Sequence, residues 1–178
     1  MSMETASSER KWKKPLIRAL CLVALVFVMA YGGMAVARAA LGTETPVMVV
    51  PSRSMVPALE VGDIVIIRGI DPHTITVGDV IVFESPDHTI DIIHRVVSIV
   101  KIGDVWYFQT KGDNNPTPDP WLTGEQNVRG LLVTNIPYVG YVTLWLQGSP
   151  WGLVIICCLI LLLITSEYSK ETRKTKGK

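Results

Sequence analysis

Three rhythms of hydrophobic and polar positions follow one another along this chain. Residues 19–37 carry no charge, with Arg18 and Arg38 standing at either end of the run. Crossing a hydrocarbon core takes about 20 apolar residues, so the pattern predicts a transmembrane helix over residues 15–41. Gly32-Gly33 would give that helix a bend or a close-packing point. Near the other end, residues 153–164 are purely apolar, and Trp151 and Tyr168 sit where aromatic interface anchors are expected. That run reaches spanning length only with its flanks, and it predicts a second helix over residues 150–168. The polar ends, residues 1–14 and 169–178, read as tails without structure of their own.

Between the apolar stretches the period shortens to that of strands. Apolar, β-branched or aromatic runs occupy residues 47–50, 63–68, 79–83, 90–100, 104–110, 131–134 and 138–144. Each is short and bounded by Gly, Pro, Asn or Asp, which predicts strands separated by turns. Gly103-Asp104 is a hairpin signal. Residues 113–124 hold three prolines and two asparagines and read as a loop. The two Val-Gly-Asp triplets before residues 64 and 80 are treated as coincidental punctuation. The expected architecture is one mainly β domain over residues 42–149 between two membrane helices.

Charge placement adds orientation. Residues 42–149 hold six Lys/Arg against twelve Asp/Glu, whereas residues 1–18 and 165–178 each hold five basic and two acidic side chains. Basic flanks stay on the cytoplasmic side, so both ends read as inside and the acidic domain as extracytoplasmic. A rival reading takes Ala35-Val36-Ala37 or Ala37-Arg38-Ala39 as the cleavage site of a secretory signal. The apolar run exceeds the usual length of such signals, and Arg38 fits the site poorly. An acidic domain also argues against nucleic-acid binding, since little in it would neutralise phosphates. Cys21, Cys157 and Cys158 all lie in the apolar stretches, so the domain has neither a disulfide framework nor a thiolate nucleophile.

Chemistry then concentrates in a few positions. Ser54 sits in Pro51-Ser52-Arg53-Ser54-Met55-Val56-Pro57, just past a predicted strand, in a turn that would fix its hydroxyl. A serine hydroxyl needs a base to become a nucleophile. His73 and His88 fall in turns and read as solvated. His94 interrupts an apolar strand, where a polar side chain must find a partner or lose its solvation uncompensated. Asp87, His88, Asp91 and His94 match no familiar metal-ligand spacing. A triad also needs a carboxylate to orient the imidazole. Asp113, in Gly112-Asp113-Asn114-Asn115, has the composition of a turn residue that bonds its own backbone. Asp119, between Pro118 and Pro120, has no such local explanation. Sequence order alone does not choose between them.

Taken together, Ser52-Arg53-Ser54-Met55-Val56-Pro57, Val61-Gly62-Asp63, Val77-Gly78-Asp79, His94-Arg95-Val96, Lys111-Gly112-Asp113-Asn114-Asn115 and Pro137-Tyr138-Val139-Gly140 closely resemble the motifs of type I signal peptidases. The resemblance covers residues 47–140. Where the bacterial branch has a lysine, this chain has His94, so it resembles the archaeal and endoplasmic-reticulum branch. The resemblance implies a signal-peptidase-like β fold, with Ser54 as nucleophile and His94 as general base. It implies Asp119 as the orienting acid, with Asp113 needed beside it, and an oxyanion site from the Ser52 hydroxyl and the Ser54 N–H. Two positions depart from the family pattern: Arg53 stands where small residues are common, and Pro118 replaces an acid before Asp119.

The same resemblance implies a membrane-bound serine endopeptidase that cuts preprotein signal peptides after a small-x-small pattern as they leave the translocon. Its place would be the cell membrane, or the endoplasmic-reticulum membrane in a eukaryote. Its partners would be signal peptides and the lipid bilayer, with no nucleic acid, metal or cofactor. Two alternatives stay open at this point: a peptidase dedicated to a few surface proteins, and a non-catalytic membrane-anchored β binding module.

Overall fold

The computed structural model describes residues 3–87, 90–148, 158–160 and 162. Helix α1 spans Met3–Leu41. It therefore begins well before Pro15, and residues 3–14 extend it instead of forming an unstructured tail. Glu, Ala, Arg and Lys recur in that segment, and lengthening an existing helix is far easier than nucleating one. Its segment Leu20–Leu41 is long and apolar enough to cross a membrane, and none of those residues is buried. The expected C-terminal helix lies outside the described residues apart from 158–160 and 162, which are helical.

All the strands belong to one compact unit, Met34–Trp145. They are β1 Val47–Val49, β2 Ile64–Arg68, β3 Val80–Glu84, β4 Asp91–Ile102, β5 Val105–Lys111, β6 Leu122–Gly124 and β7 Val128–Ile136. These form a single antiparallel sheet in the order β1-β2-β7-β3-β4-β5-β6. The fold is thus mainly β with an N-terminal apolar helix. Strand β6 falls inside the segment read as loop, where three paired residues leave too short a pattern to see.

The last predicted strand is also different. Residues 141–148 form helix α2, Tyr141–Gly148, instead of a strand over 138–144. Pro137 closes β7, Tyr138 takes a positive φ of 64°, and the Leu144 N–H reaches back to the Gly140 carbonyl at 3.0 Å. A short apolar run suits helix or strand equally, and here the preceding turn decides.

Two apolar clusters cover the two faces of the sheet. Alternation along β3 sends Val80 and Val82 to one face and Ile81 and Phe83 to the other. The first pair packs with Val50, Met55, Leu59, Val65, Ile67 and Ile93. The second packs with Ile75, Val96 and Phe108. A strand covered on both faces reads as a continuous apolar run, which is what Val80-Ile81-Val82-Phe83 shows.

The Val-Gly-Asp triplets turn out to be one device used twice. In each, the Asp side chain accepts the N–H three residues upstream, Glu60 to Asp63 at 3.1 Å and Thr76 to Asp79 at 2.8 Å. Gly62 and Gly78 both hold positive φ, 84° and 104°, as the third position of such a turn demands. Each turn then exchanges two backbone bonds with one valine. Gly62 N–H binds the Val50 carbonyl and Val50 N–H binds the Asp63 carbonyl, both at 2.9 Å; Gly78, Asp79 and Val96 repeat this at 2.8 Å. The repetition is structural, contrary to the sequence reading. Val50 leads into the Ser54 loop and Val96 follows His94, so the two turns brace both segments.

Candidate active site

The Ser54 loop is anchored from below. Met55 is fully buried and Leu59 nearly so, both in the cluster around Val65 and Ile67. The Leu59 N–H closes a turn on the Met55 carbonyl at 2.9 Å. With Met55 plugged into the core, its neighbour Ser54 is left half-buried at the surface of the loop. The Ser54 carbonyl accepts the Asn114 N–H at 2.8 Å. A side chain at Gly112 would lie 2.7 Å from that carbonyl, so glycine permits the close approach. The Ser54 hydroxyl pairs with the Ser52 hydroxyl at 3.2 Å.

His94 occupies β4 opposite Ile81 of β3. It is 7% exposed and packs edge-on to Phe83, with ring centroids 6.4 Å apart. Its Nδ1 lies 2.7 Å from Oδ2 of Asp119, itself 9% exposed. Nδ1–H donates to the carboxylate, which leaves Nε2 with its lone pair free to take a proton. Just past His94 a bulge at Val97 shifts the register, so that Val96 faces Thr110 and Ser98 faces Gln109. Bulges of this kind re-aim side chains beside active sites.

The two carboxylates left open by the sequence take different partners. Asp119 meets His94, whereas Asp113 meets Arg95, receiving Nε on Oδ1 at 2.8 Å and Nη2 on Oδ2 at 2.7 Å. Arg95 also donates to the Gly78 carbonyl at 2.8 Å. Asp113 therefore does not act as the self-bonding turn residue expected of it. Its hydrogen bonds to Asp113 hold the Arg95 guanidinium above its ordinary range, outweighing the opposing effect of burial. The turn 112–115 thus ties the Ser54 loop to β4: Asn114 holds Ser54 and Asp113 holds Arg95.

Among the described residues no hydrogen bond joins Ser54 to His94; the structure brings His94 and Asp119 together, and Ser52 and Ser54 together. In substrate-free sites the bond between nucleophile and base is often long and tightens only with substrate in place. His73 is less solitary than its turn suggests, with Nε2 3.3 Å from Glu125. Asp91 is drawn into pairing with Arg129 and Thr45, away from His94. His88 lies outside the described residues. One residue the sequence gave no reason to select is Thr110, whose hydroxyl donates to Asp119 Oδ2 at 2.6 Å.

Residues 17–102 match the family model described as signal peptidase, peptidase S26. The chain is 30% identical to the signal peptidase complex catalytic subunit SEC11 of Metarhizium robertsii, over 91% of this chain and 96% of the relative. The chain belongs to the signal peptidase family. It is also 30% identical to the sec11 subunit of Schizosaccharomyces pombe, over 71% of this chain and 80% of that protein. The Plasmodium falciparum SEC11 subunit is 35% identical, over 68% of this chain and 71% of the relative. Membership in this signal peptidase family makes the chain a hydrolase, a serine peptidase that removes signal peptides from preproteins.

Proposed function

We propose that Ser54 attacks the scissile carbonyl while His94 Nε2 takes its proton, with Asp119 orienting the imidazole and stabilising its charged form. The observation that carries this reading is the buried His94–Asp119 pair at 2.7 Å. Among the described residues no hydrogen bond engages His94 Nε2, which leaves that nitrogen for the Ser54 proton. His94 then returns the proton to the leaving amine, and an acyl-enzyme on Ser54 is hydrolysed by water activated at the same nitrogen. In this reading the Ser54 N–H and the Ser52 hydroxyl receive the developing oxyanion. Ser52 Oγ lies 3.2 Å from Ser54 Oγ, which suits a donor beside the reacting carbon. Asp113 serves the site through Arg95 and not through the imidazole.

The substrate binds as an added strand. Among the described residues β1 pairs only with β2, at the edge of the sheet, and it runs directly into the Ser54 loop. An extended peptide on that edge would gain backbone bonds while its alternate side chains meet shallow pockets that admit small residues. In this reading helix α1 anchors the enzyme in the membrane, and the basic flanks favour a domain outside the cytoplasm. Exposed Tyr138, Val139, Tyr141 and Val142 would suit contact with the lipid surface. The names of the relatives favour work as the catalytic subunit of a signal peptidase complex.

Full-length protein in detergent or lipid should cut a synthetic preprotein with a small-x-small site, and Ser54→Ala should abolish cleavage without changing the melting curve. Full activity in Ser54→Ala would overturn the assignment.

A further inference from the structure

The carboxylate that faces His94 does not stand alone. Asp119 lies between two prolines in a segment with little regular structure, yet its N–H, its carbonyl and its Oδ2 are each bonded by one of two consecutive residues of β5. The Thr110 carbonyl accepts the Asp119 N–H at 2.9 Å. The Thr110 hydroxyl donates to Asp119 Oδ2 at 2.6 Å, the same oxygen that receives His94 Nδ1 at 2.7 Å. Gln109 Nε2 donates to the Asp119 carbonyl at 2.6 Å and to the Trp121 carbonyl at 3.1 Å.

Thr110 is itself fully buried, and it stands opposite Val96, two residues along β4 from His94. Residues two apart on a strand share a face, so the threonine hydroxyl and the imidazole approach the carboxylate from adjacent strands of one face. A buried threonine has an ordinary role, which is to satisfy its own hydroxyl on a nearby backbone carbonyl. Here the hydroxyl is spent on a carboxylate side chain, and on the particular oxygen that the base uses.

We infer that Thr110 is a positioning residue for the peptidase reaction, assisted by Gln109, acting through Asp119 on His94. This rests on the reading of His94 as general base. With two donors on one oxygen, the carboxylate is held facing the imidazole. Without the hydroxyl the carboxylate keeps its backbone tether but loses its fixed rotamer. The imidazole then spends less time with Nε2 aimed at the nucleophile. Substrate binding along β1 does not involve Thr110, so the effect falls on turnover.

The test uses the full chain in lipid nanodiscs and a synthetic preprotein peptide. Thr110→Val keeps shape and removes the donor. A hydrogen bond to a charged group lost in this way lowers kcat roughly 10- to 100-fold, with KM nearly unchanged. Thr110→Ser restores most of the turnover, and the downfield proton resonance of His94 Nδ1–H, present in the parent and in Thr110→Ser, is lost or shifted in Thr110→Val. Should the valine variant not fold, Thr110→Cys, which keeps the size but only a weak donor, gives the same ordering. Parent-like kcat and an unmoved proton resonance in a folded Thr110→Val would overturn the inference while Ser54→Ala and His94→Ala remain inactive. If His94→Ala kept full activity, the fault would lie with the base assignment instead.

Discussion

Arg95 grips Asp113 through two parallel hydrogen bonds, at 2.8 and 2.7 Å, one residue away from the histidine that faces Asp119. Neighbours on a strand point to opposite faces, so adjacent positions serve two purposes. His94 faces Asp119, and Arg95 fastens β4 to the turn that holds Ser54. The guanidinium's raised value means that arginine's own charge change leaves the pair intact below arginine's ordinary range and weakens it only as pH rises through the raised value.

Asp113→Asn should act chiefly on stability. The pair is partly exposed, 35% at the Arg95 side chain and 19% at Asp113, so solvent screening limits the loss to about 1 kcal/mol. A denaturant or thermal melt in detergent measures it. Arg95→Lys should not substitute, because an ammonium cannot reproduce the bidentate fork. A lysine variant as stable as the parent would show the fork to be unimportant.

Asp119→Asn should act chiefly on turnover. The amide keeps the size but can present its NH2 to Nδ1, which favours the wrong tautomer of His94. Loss of kcat by roughly 10²- to 10⁴-fold is expected, with a melting curve close to the parent's. If Asp113→Asn lowered kcat more than Asp119→Asn at equal stability, the orienting role would pass to Asp113.

The two equivalent turns separate strain from crowding. Gly62→Ala and Gly78→Ala both force a side chain into positive φ, at a penalty of about 1 kcal/mol each. At Gly78 the new methyl meets open space, while at Gly62 it would lie 2.5 Å from the Tyr141 ring. Gly62→Ala should therefore lower the melting midpoint more, and Tyr141→Ala should remove the difference. Equal midpoints for the two alanine variants would argue against the packing described.

Much of this was legible along the chain because it depends on local pattern. The charge-free run before Arg38 marks an apolar helix whatever surrounds it. The apolar run 80–83 marks a buried strand, since both faces of β3 are covered. His94 was conspicuous as a polar residue in an apolar strand, and Ser54 as a hydroxyl fixed beside a core methionine. Other features were hidden because they depend on partners far away in sequence. Whether residues 141–148 coil or extend is settled by the turn at Tyr138, and β6 exists only because β5 lies beside it.

The sequence by itself determined which residues are available: one serine loop, one strand histidine and two carboxylates in a proline-rich segment. Only the tertiary structure decided how they are shared. Asp113 and Asp119 are chemically identical and six positions apart, and no local rule separates them. The fold does so by setting β4 against β5, so that one carboxylate reaches the face of His94 and the other the face of Arg95. The same pairing recruits Thr110, a residue with no distinguishing mark in the sequence, because a hydroxyl's role depends on what the neighbouring strand brings within 3 Å of it.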